Sequence, residues 1–277
     1  MKITCWGCRG SLPTPGSTTV KYGGNTTCFQ INSKDGHLII IDAGSGMRML
    51  GNYLRKNDPR RIIHLLITHA HWDHLMGFPF FMPAYLKNYS IKVKGYIDAH
   101  HKLKDIIAHQ FESPYFPVDF RVLKSRLEFT ELKKKKFKIG NVSIETIRLN
   151  HPNGGFGFKF RENGKAFVFL TDNELTYNHG SKMNRCDFIE FCQDADLLIH
   201  DAQYLESEYN HFNRGWGHST FDDAFELGRD AGVRRLGFCH HDQERNDRDL
   251  DAIEKKYARI SGRMKCFVVK EHDTYTV

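Results

Sequence analysis

Short apolar runs recur along this chain, and one after another they stop at residues able to hold a cation. Ile62-Ile63-His64-Leu65-Leu66-Ile67 is nearly continuous and is followed by Thr68-His69, which suits a strand buried on both faces with its C-terminal end carrying chemistry. Ala166 to Leu170 ends in Thr171-Asp172, Arg235 to Cys239 ends in His240-His241, and Leu38 to Ile41 ends in Asp42. Val142 to Asn150 alternates apolar and polar residues before His151 closes it, as a half-buried strand would. Between these runs lie helical stretches such as Asp222 to Arg229. There the stripe Phe221-Ala224-Phe225-Leu227 faces one way, and Ser219 or Thr220 stands where a helix cap belongs. The dipeptide Asn163-Gly164 between Glu162 and Lys165 predicts a tight hairpin turn. Strands in both halves with helices after them predict an α/β fold: an αββα sandwich of two mixed β-sheets flanked by helices. No Pro/Ser-rich linker, repeat or composition shift divides the chain, so a single domain over 1–277 is expected.

The chemistry concentrates in Ile67-Thr68-His69-Ala70-His71-Trp72-Asp73-His74. His69 and His71, two apart in extended chain, point the same way and can chelate one ion. Asp73 and His74 follow as the chain turns, so they diverge and suit a second ion beside the first. One histidine at a strand end is more often a hydrogen-bonded core residue, but four such residues within six positions form a ligand cluster. A dinuclear site needs further ligands, and His151, Asp172 and either His240 or His241 stand at the other strand tips.

The His-x-His-x-Asp-His run from His69 to His74 resembles the signature of the metallo-β-lactamase-fold hydrolases, and the resemblance spans nearly the whole chain. By position it implies His69, His71 and His151 as ligands of one metal and Asp73, His74 and His240 as ligands of the second. Asp172 would bridge the two. His240 is favoured over His241 because it directly follows the strand. Leu197-Leu198-Ile199-His200-Asp201-Ala202 resembles the His-Glu-Ala-Thr motif of the ribonuclease Z branch, with Asp201 in place of glutamate, and Gly217-His218-Ser219-Thr220 resembles its His-Ser-Thr motif. The resemblance implies that His218 is a general acid oriented by Asp201, and that Asp73 both ligates and orients the nucleophile. Ribonuclease Z carries a long tRNA-gripping arm between the positions matching His151 and Asp172, and this chain has no room for one. The stretches Gly7 to Gly16 and Tyr22 to Cys28, the latter with Asn25 as a candidate substrate contact, instead resemble cyclic-nucleotide phosphodiesterases of this fold, the anti-Pycsar proteins among them. Asp42 either supports the ligands from behind or simply starts a glycine turn.

Imidazole and carboxylate ligands without thiolate suit zinc first and manganese second. The expected reaction is hydrolysis of a small phosphodiester, a 3′,5′-cyclic nucleotide, by water made acidic between two divalent ions. The alternatives are an RNA-processing nuclease and a nucleotide-binding protein without turnover. A net charge of +7 favours an anionic substrate. Much of that charge lies in Lys133-Lys134-Lys135-Lys136-Phe137-Lys138, which reads as a solvated turn or sheet edge rather than a nucleic-acid footprint. The seven cysteines, an odd number, fit a reduced, cytoplasmic protein, and Cys5-Trp6-Gly7-Cys8 lacks a partner pair at zinc-finger spacing. No signal peptide or membrane span is expected. The proline- and aromatic-rich segment Phe111 to Phe120 is either core filling or a lid. As a lid, its Tyr115 or Phe116 would stack on a nucleobase, reaching in from the second subunit of a homodimer as dimeric relatives suggest.

Overall fold

The computed structural model describes residues 1–95, 102–132 and 135–277. Its strands are β1 (Lys2–Gly7), β2 (Cys28–Asn32), β3 (Leu38–Ile41), β4 (Ile62–Ile67), β5 (Ser90–Gly95), β6 (Arg126–Glu131), β7 (Lys136–Ile139), β8 (Val142–Arg148), β9 (Phe156–Glu162), β10 (Lys165–Leu170), β11 (Leu197–Asp201), β12 (Arg235–Cys239), β13 (Lys265–Val268) and β14 (Thr274–Thr276). The helices are α1 (Met47–Asn57), α2 (Leu103–His109), α3 (Arg185–Cys192), α4 (Phe221–Asp230) and α5 (Asp247–Ile260). Two seven-stranded sheets form, ordered β14-β1-β2-β3-β4-β5-β6 and β13-β12-β11-β10-β9-β8-β7. Pairing is parallel from β3 to β6 and from β10 to β13 and antiparallel elsewhere, so both sheets are mixed.

The apolar runs lack alternation because each strand feeds two cores. Ile39, Ile41 and Leu66 of one sheet meet Phe167, Phe169, Leu197 and Ile199 of the other. Their neighbours Leu38, Ile40, Ile63 and Leu65 turn outward onto Leu50 and Leu54 of α1 and Ile107 of α2. Val168, Leu170, Leu198, Leu236 and Phe238 likewise turn onto α3, α4 and α5. The result is the expected αββα sandwich, with the C-terminal ends of β3, β4, β10, β11 and β12 converging where the sheets meet.

Local signals behave as the chemistry of their residues dictates. Asn163 and Gly164 both take positive φ, 51° and 73°, and close the β9–β10 hairpin in register Glu162 to Lys165. Thr220 caps α4 in a reciprocal box with Asp223, while Ser219 turns inward. Lys136 and Lys138 sit on β7 at a sheet edge; Lys133 and Lys134 lie outside the described residues. Phe111, Phe116 and Phe120 pack against one another and, through Phe78, Phe80 and Phe129, onto the outer core of the first sheet. Tyr115 between them is 79% exposed. All seven cysteines are free, and among the described residues no helix is long and apolar enough to cross a membrane.

His64 on β4 is buried, and its Nδ1 has no hydrogen-bond partner. Burial, and then the positive charges of His37, Lys92 and Lys94, push its imidazole down to about 4. A base depressed in the folded state stabilises nothing above its unfolded value near 6.5. Below that value the unfolded chain takes a proton that the folded one refuses, so stability is lost as pH falls towards 4. Relative to wild type, His64→Leu should therefore gain stability between pH 6.5 and 4, reaching about 2 kcal/mol once partial solvent screening is discounted. Urea unfolding of both proteins across that range measures the gap. A gap that does not move with pH would remove His64 from the acid limb.

Candidate metal centre

Two groups of side chains converge at the strand tips. His69, His71, His151 and Asp172 form the first, and Asp73, His74, Asp172 and His240 the second; within each group the ligand atoms lie within 4.8 Å of one another. Asp172 belongs to both. Its carboxylate is 3.5 Å from His69 Nε2, 3.7 Å from His151 Nε2, and 3.3 Å from the Nε2 atoms of both His74 and His240. Tetrahedral bonds of 2.0–2.1 Å imply ligand-to-ligand edges of roughly 3.3 Å, so this spacing fits cations at the centre of each group. The buried Nε2 atoms of His69 and His74 have no hydrogen-bond partner, which suits a coordinate bond.

The folded chain fixes which nitrogen each ring presents. Asp42, fully buried just after β3, accepts from the Thr68 N–H, the Thr68 hydroxyl and His74 Nδ1, each at 2.8 Å. With its only proton directed to Asp42, the Thr68 hydroxyl accepts from His69 Nδ1 at 3.0 Å. The Gly217 carbonyl accepts from His151 Nδ1 at 3.0 Å, and Gln203 Oε1 faces His240 Nδ1 at 3.1 Å. In four histidines, then, an acceptor at Nδ1 leaves Nε2 directed inward. His71 is the exception. Its Nδ1 faces His151 Nε2 at 2.9 Å while Nε2 points out to Asn153.

Burial pulls the His69, His71 and His151 imidazoles below their ordinary value, so they favour the neutral form that ligates. For His240 burial works the same way, but the carboxylates of Asp172 and Asp73 overcome it and hold the ring up to about 10. Asp73 and Asp172 are held well below the carboxylate range: burial opposes this, and the facing histidines outweigh it. The centre is built to balance two carboxylates with positive charge.

His218 is 7% exposed and stacks on His240 with ring centroids 4.6 Å apart. Its Nδ1 lies 3.4 Å from Asp201 Oδ2 without hydrogen-bond alignment. Asp201 instead accepts from the main-chain N–H groups of Ser219 and Asn173, each at 3.0 Å. The aspartate thus steers the segment carrying His218 more directly than the ring itself. His241 lies outside both groups, as its Nε2 donates to the Val269 carbonyl at 2.8 Å. Asn25 is engaged elsewhere: its side-chain nitrogen donates to Glu271 and its oxygen accepts from Ser45.

A cavity of about 410 Å³ opens onto the centre, lined by Ser11, Ala70, His71, Trp72, Asp73, Asp172, His218 and His240. Tyr115, Phe116 and Asn25 do not line it. Besides Ala70, two lining residues escape sequence reasoning. Ser11 donates its main-chain N–H to Asp73 Oδ2 at 2.9 Å from a left-handed conformation (φ 60°), and Trp72 stands 79% exposed at the rim. Ser11 lies in the glycine-rich N-terminal stretch and Trp72 inside the histidine run, so both were in view without a periodicity to single them out. Among the described residues the lining has no lysine or arginine. Arg9, buried two residues before Ser11, donates to the carbonyls of Gly23, Asp242 and Arg245.

Comparison with known proteins agrees with this construction. A family model for the beta-lactamase superfamily domain matches residues 37–241. A ribonuclease Z of Streptococcus equi subsp. zooepidemicus is 24% identical over 250 residues, covering 75% of this chain and 80% of its own. Among solved structures, the metallo-beta-lactamase fold protein YhfI from Bacillus subtilis superposes with a TM-score of 0.71 at 16% identity, covering 99% of each chain. A diphosphatase of the PhnP family gives 0.72 at 15% identity, covering 100% of this chain and 97% of its own. With the family match running from β3 to the His240 strand tip, and a histidine–aspartate cluster fitting two divalent ions between the sheets, this chain belongs to the beta-lactamase superfamily as a metallo-β-lactamase-fold hydrolase.

Proposed function

We propose that the chain is a binuclear phosphodiesterase that opens a 3′,5′-cyclic nucleotide to the nucleoside monophosphate. The observation carrying this reading is a cavity that has two carboxylates, a poised imidazole and, among the described residues, no fixed cation. A phosphodiester anion can approach Asp73 and Asp172 only when bound cations outweigh them. Zinc is the first candidate and manganese the second. Two such ions, when bound, supply Lewis acidity to the non-bridging oxygens and lower the pKa of water from 15.7 towards about 7.

The chain's own residues do the rest. Asp73, steadied by the Ser11 N–H, orients the attacking water in line with the scissile bond. His218, with Nδ1 towards Asp201 and its other nitrogen free for the cavity, delivers a proton to the departing ribose oxygen. The tight Asn163–Gly164 turn between His151 and Asp172 leaves no arm for gripping tRNA, which favours a small substrate. In this reading the protein is cytoplasmic and a homodimer, Tyr115 and Phe116 contact the base from the second subunit, and Asn25 helps shape the N-terminal loop against the substrate. The ribonuclease Z relatives support phosphodiester hydrolysis, and the diphosphatase supports attack at phosphorus more broadly.

The test is turnover of a panel of 3′,5′-cyclic mononucleotides by protein loaded with zinc or manganese, with metal content determined alongside. Ring opening at two ions per chain is the expected result. If both ions are present and no ring opens, the substrate is wrong, and structured RNA becomes the alternative that the ribonuclease Z relatives favour.

A further inference from the structure

Glu174 lies two residues beyond Asp172, is fully buried, and has no place in the chemistry described so far. Its carboxylate meets four groups. Oε1 accepts from the Tyr209 hydroxyl at 2.5 Å and the Gly215 N–H at 2.7 Å; Oε2 accepts from the Gly217 N–H at 2.8 Å and faces His179 Nε2 at 2.7 Å. A buried carboxylate bound this completely fixes whatever carries its donors. Three of the four, Tyr209, Gly215 and Gly217, sit on the segment 209–217, which leads directly into His218.

Gly217 is where that segment touches both halves of the site. Its N–H goes to Glu174, its carbonyl accepts from the metal-ligand candidate His151, and the next residue is His218. Its φ of 98° is left-handed, and a Cβ there would fall 1.9 Å from His151 Nδ1. No side chain can occupy this position, so the backbone alone transmits Glu174's hold. From the other side Asn173 and Leu175, which flank Glu174, bond to Ser219: Ser219 Oγ donates to the Asn173 carbonyl and accepts from the Leu175 N–H. His218 is therefore clamped before and after by one short strand exit, and Asp201 completes the clamp.

We infer that Glu174 is a positioning residue that sets His151 and His218 together through the peptide of Gly217, so that metal affinity and leaving-group protonation depend on one buried carboxylate. This rests on the phosphodiesterase reading for the identity of the leaving group, and on geometry for the rest. Glu174→Gln is nearly isosteric, but its amide nitrogen must face either the Gly215 or the Gly217 N–H, donor against donor.

The experiment compares wild type, Glu174→Gln and His218→Ala on two diesters: a cyclic nucleotide, whose leaving ribose oxygen needs a proton, and bis(p-nitrophenyl) phosphate, whose leaving group does not. Two readouts are independent of turnover, namely zinc titration of the metal-free protein and amide hydrogen exchange. For Glu174→Gln we expect zinc affinity to fall about 10-fold or more, within the range for residues behind metal ligands. Exchange at Gly215 and Gly217 should rise by a similar factor. At saturating zinc, cyclic-nucleotide kcat should stay at least about 10-fold below wild type with KM little changed, while the activated diester falls far less, the same split as His218→Ala. A loss confined to zinc affinity, an equal loss on both diesters at saturating zinc, or unchanged exchange at the two glycines would each overturn the inference. If wild type opens no cyclic nucleotide, the substrate reading alone has failed, and a dinucleotide supplies the ribose-leaving arm with the other readouts unchanged.

Discussion

Asp172→Ala should purify as a folded protein that holds neither ion firmly and hydrolyses phosphodiesters roughly 1,000-fold more slowly than wild type, or worse. Residues that only support metal ligands already cost about 10–100-fold when removed, and Asp172 is shared by both ligand groups, so both sites lose a donor at once. Electrostatics deepens the loss. His74 and His240 are fully buried, and the carboxylates of Asp172 and Asp73 are what hold their rings above their ordinary value against burial. Without Asp172 the centre is left with five imidazoles and Asp73 alone to attract cations. The chain should still fold, because among the described residues the Asp172 side chain bonds outside the cluster only to the Thr171 hydroxyl, and the sheet cores on either side do not include it. Metal content per chain, melting temperature and turnover of bis(p-nitrophenyl) phosphate decide the matter. A variant that retains two ions and near-normal turnover would mean that Asp172 bridges nothing.

The candidate ligands were legible in the sequence because of where they stand. His69 to His74, Asp172 and His240 each follow a run of residues that can only be strand interior, and a polar residue straight after such a run must sit at a strand tip. His151 follows its strand by a short turn after Arg148 and was legible for the same reason. What surrounds the ligands was hidden. Gln203 behind His240, the Gly217 carbonyl behind His151 and Glu174 behind Gly217 lie in loops with no periodicity, and their partners come from distant parts of the chain. Asp42 was only half legible: its place after β3 was plain, while its hold on Thr68 and His74 needed β3 and β4 to be seen side by side. The His218–Asp201 contact shows the limit of motif reading. The motif pairs the two residues, but the shorter aspartate is fully engaged by main-chain N–H groups and reaches the ring only at 3.4 Å.

That geometry makes His218→Ala a cleaner probe of acid catalysis than any change at Asp201. Asp201 is buried and accepts two main-chain hydrogen bonds, so Asp201→Ala would leave two buried donors unpaired at a cost of about 1–3 kcal/mol each and loosen the clamp around Ser219. His218 belongs to neither ligand group, and its Nδ1 makes no hydrogen bond that the fold would miss. His218→Ala should therefore keep two ions per chain and melt within a few degrees of wild type, while kcat on a cyclic nucleotide falls by about 10²–10⁴-fold, the span expected for a positioned proton donor. On bis(p-nitrophenyl) phosphate, whose leaving group departs as a stable anion, the loss should be far smaller, and this dependence on leaving group separates proton donation from mere distortion. Loss of stacking on His240 is the competing explanation. It predicts weaker metal binding and an equal decline on both diesters, because a displaced His240 would serve neither. His218→Phe sharpens the contrast, since it keeps a stacking ring and removes only the proton: a variant that recovered cyclic-nucleotide turnover would show that His218 acts as packing, and one as impaired as alanine would leave the proton as its contribution.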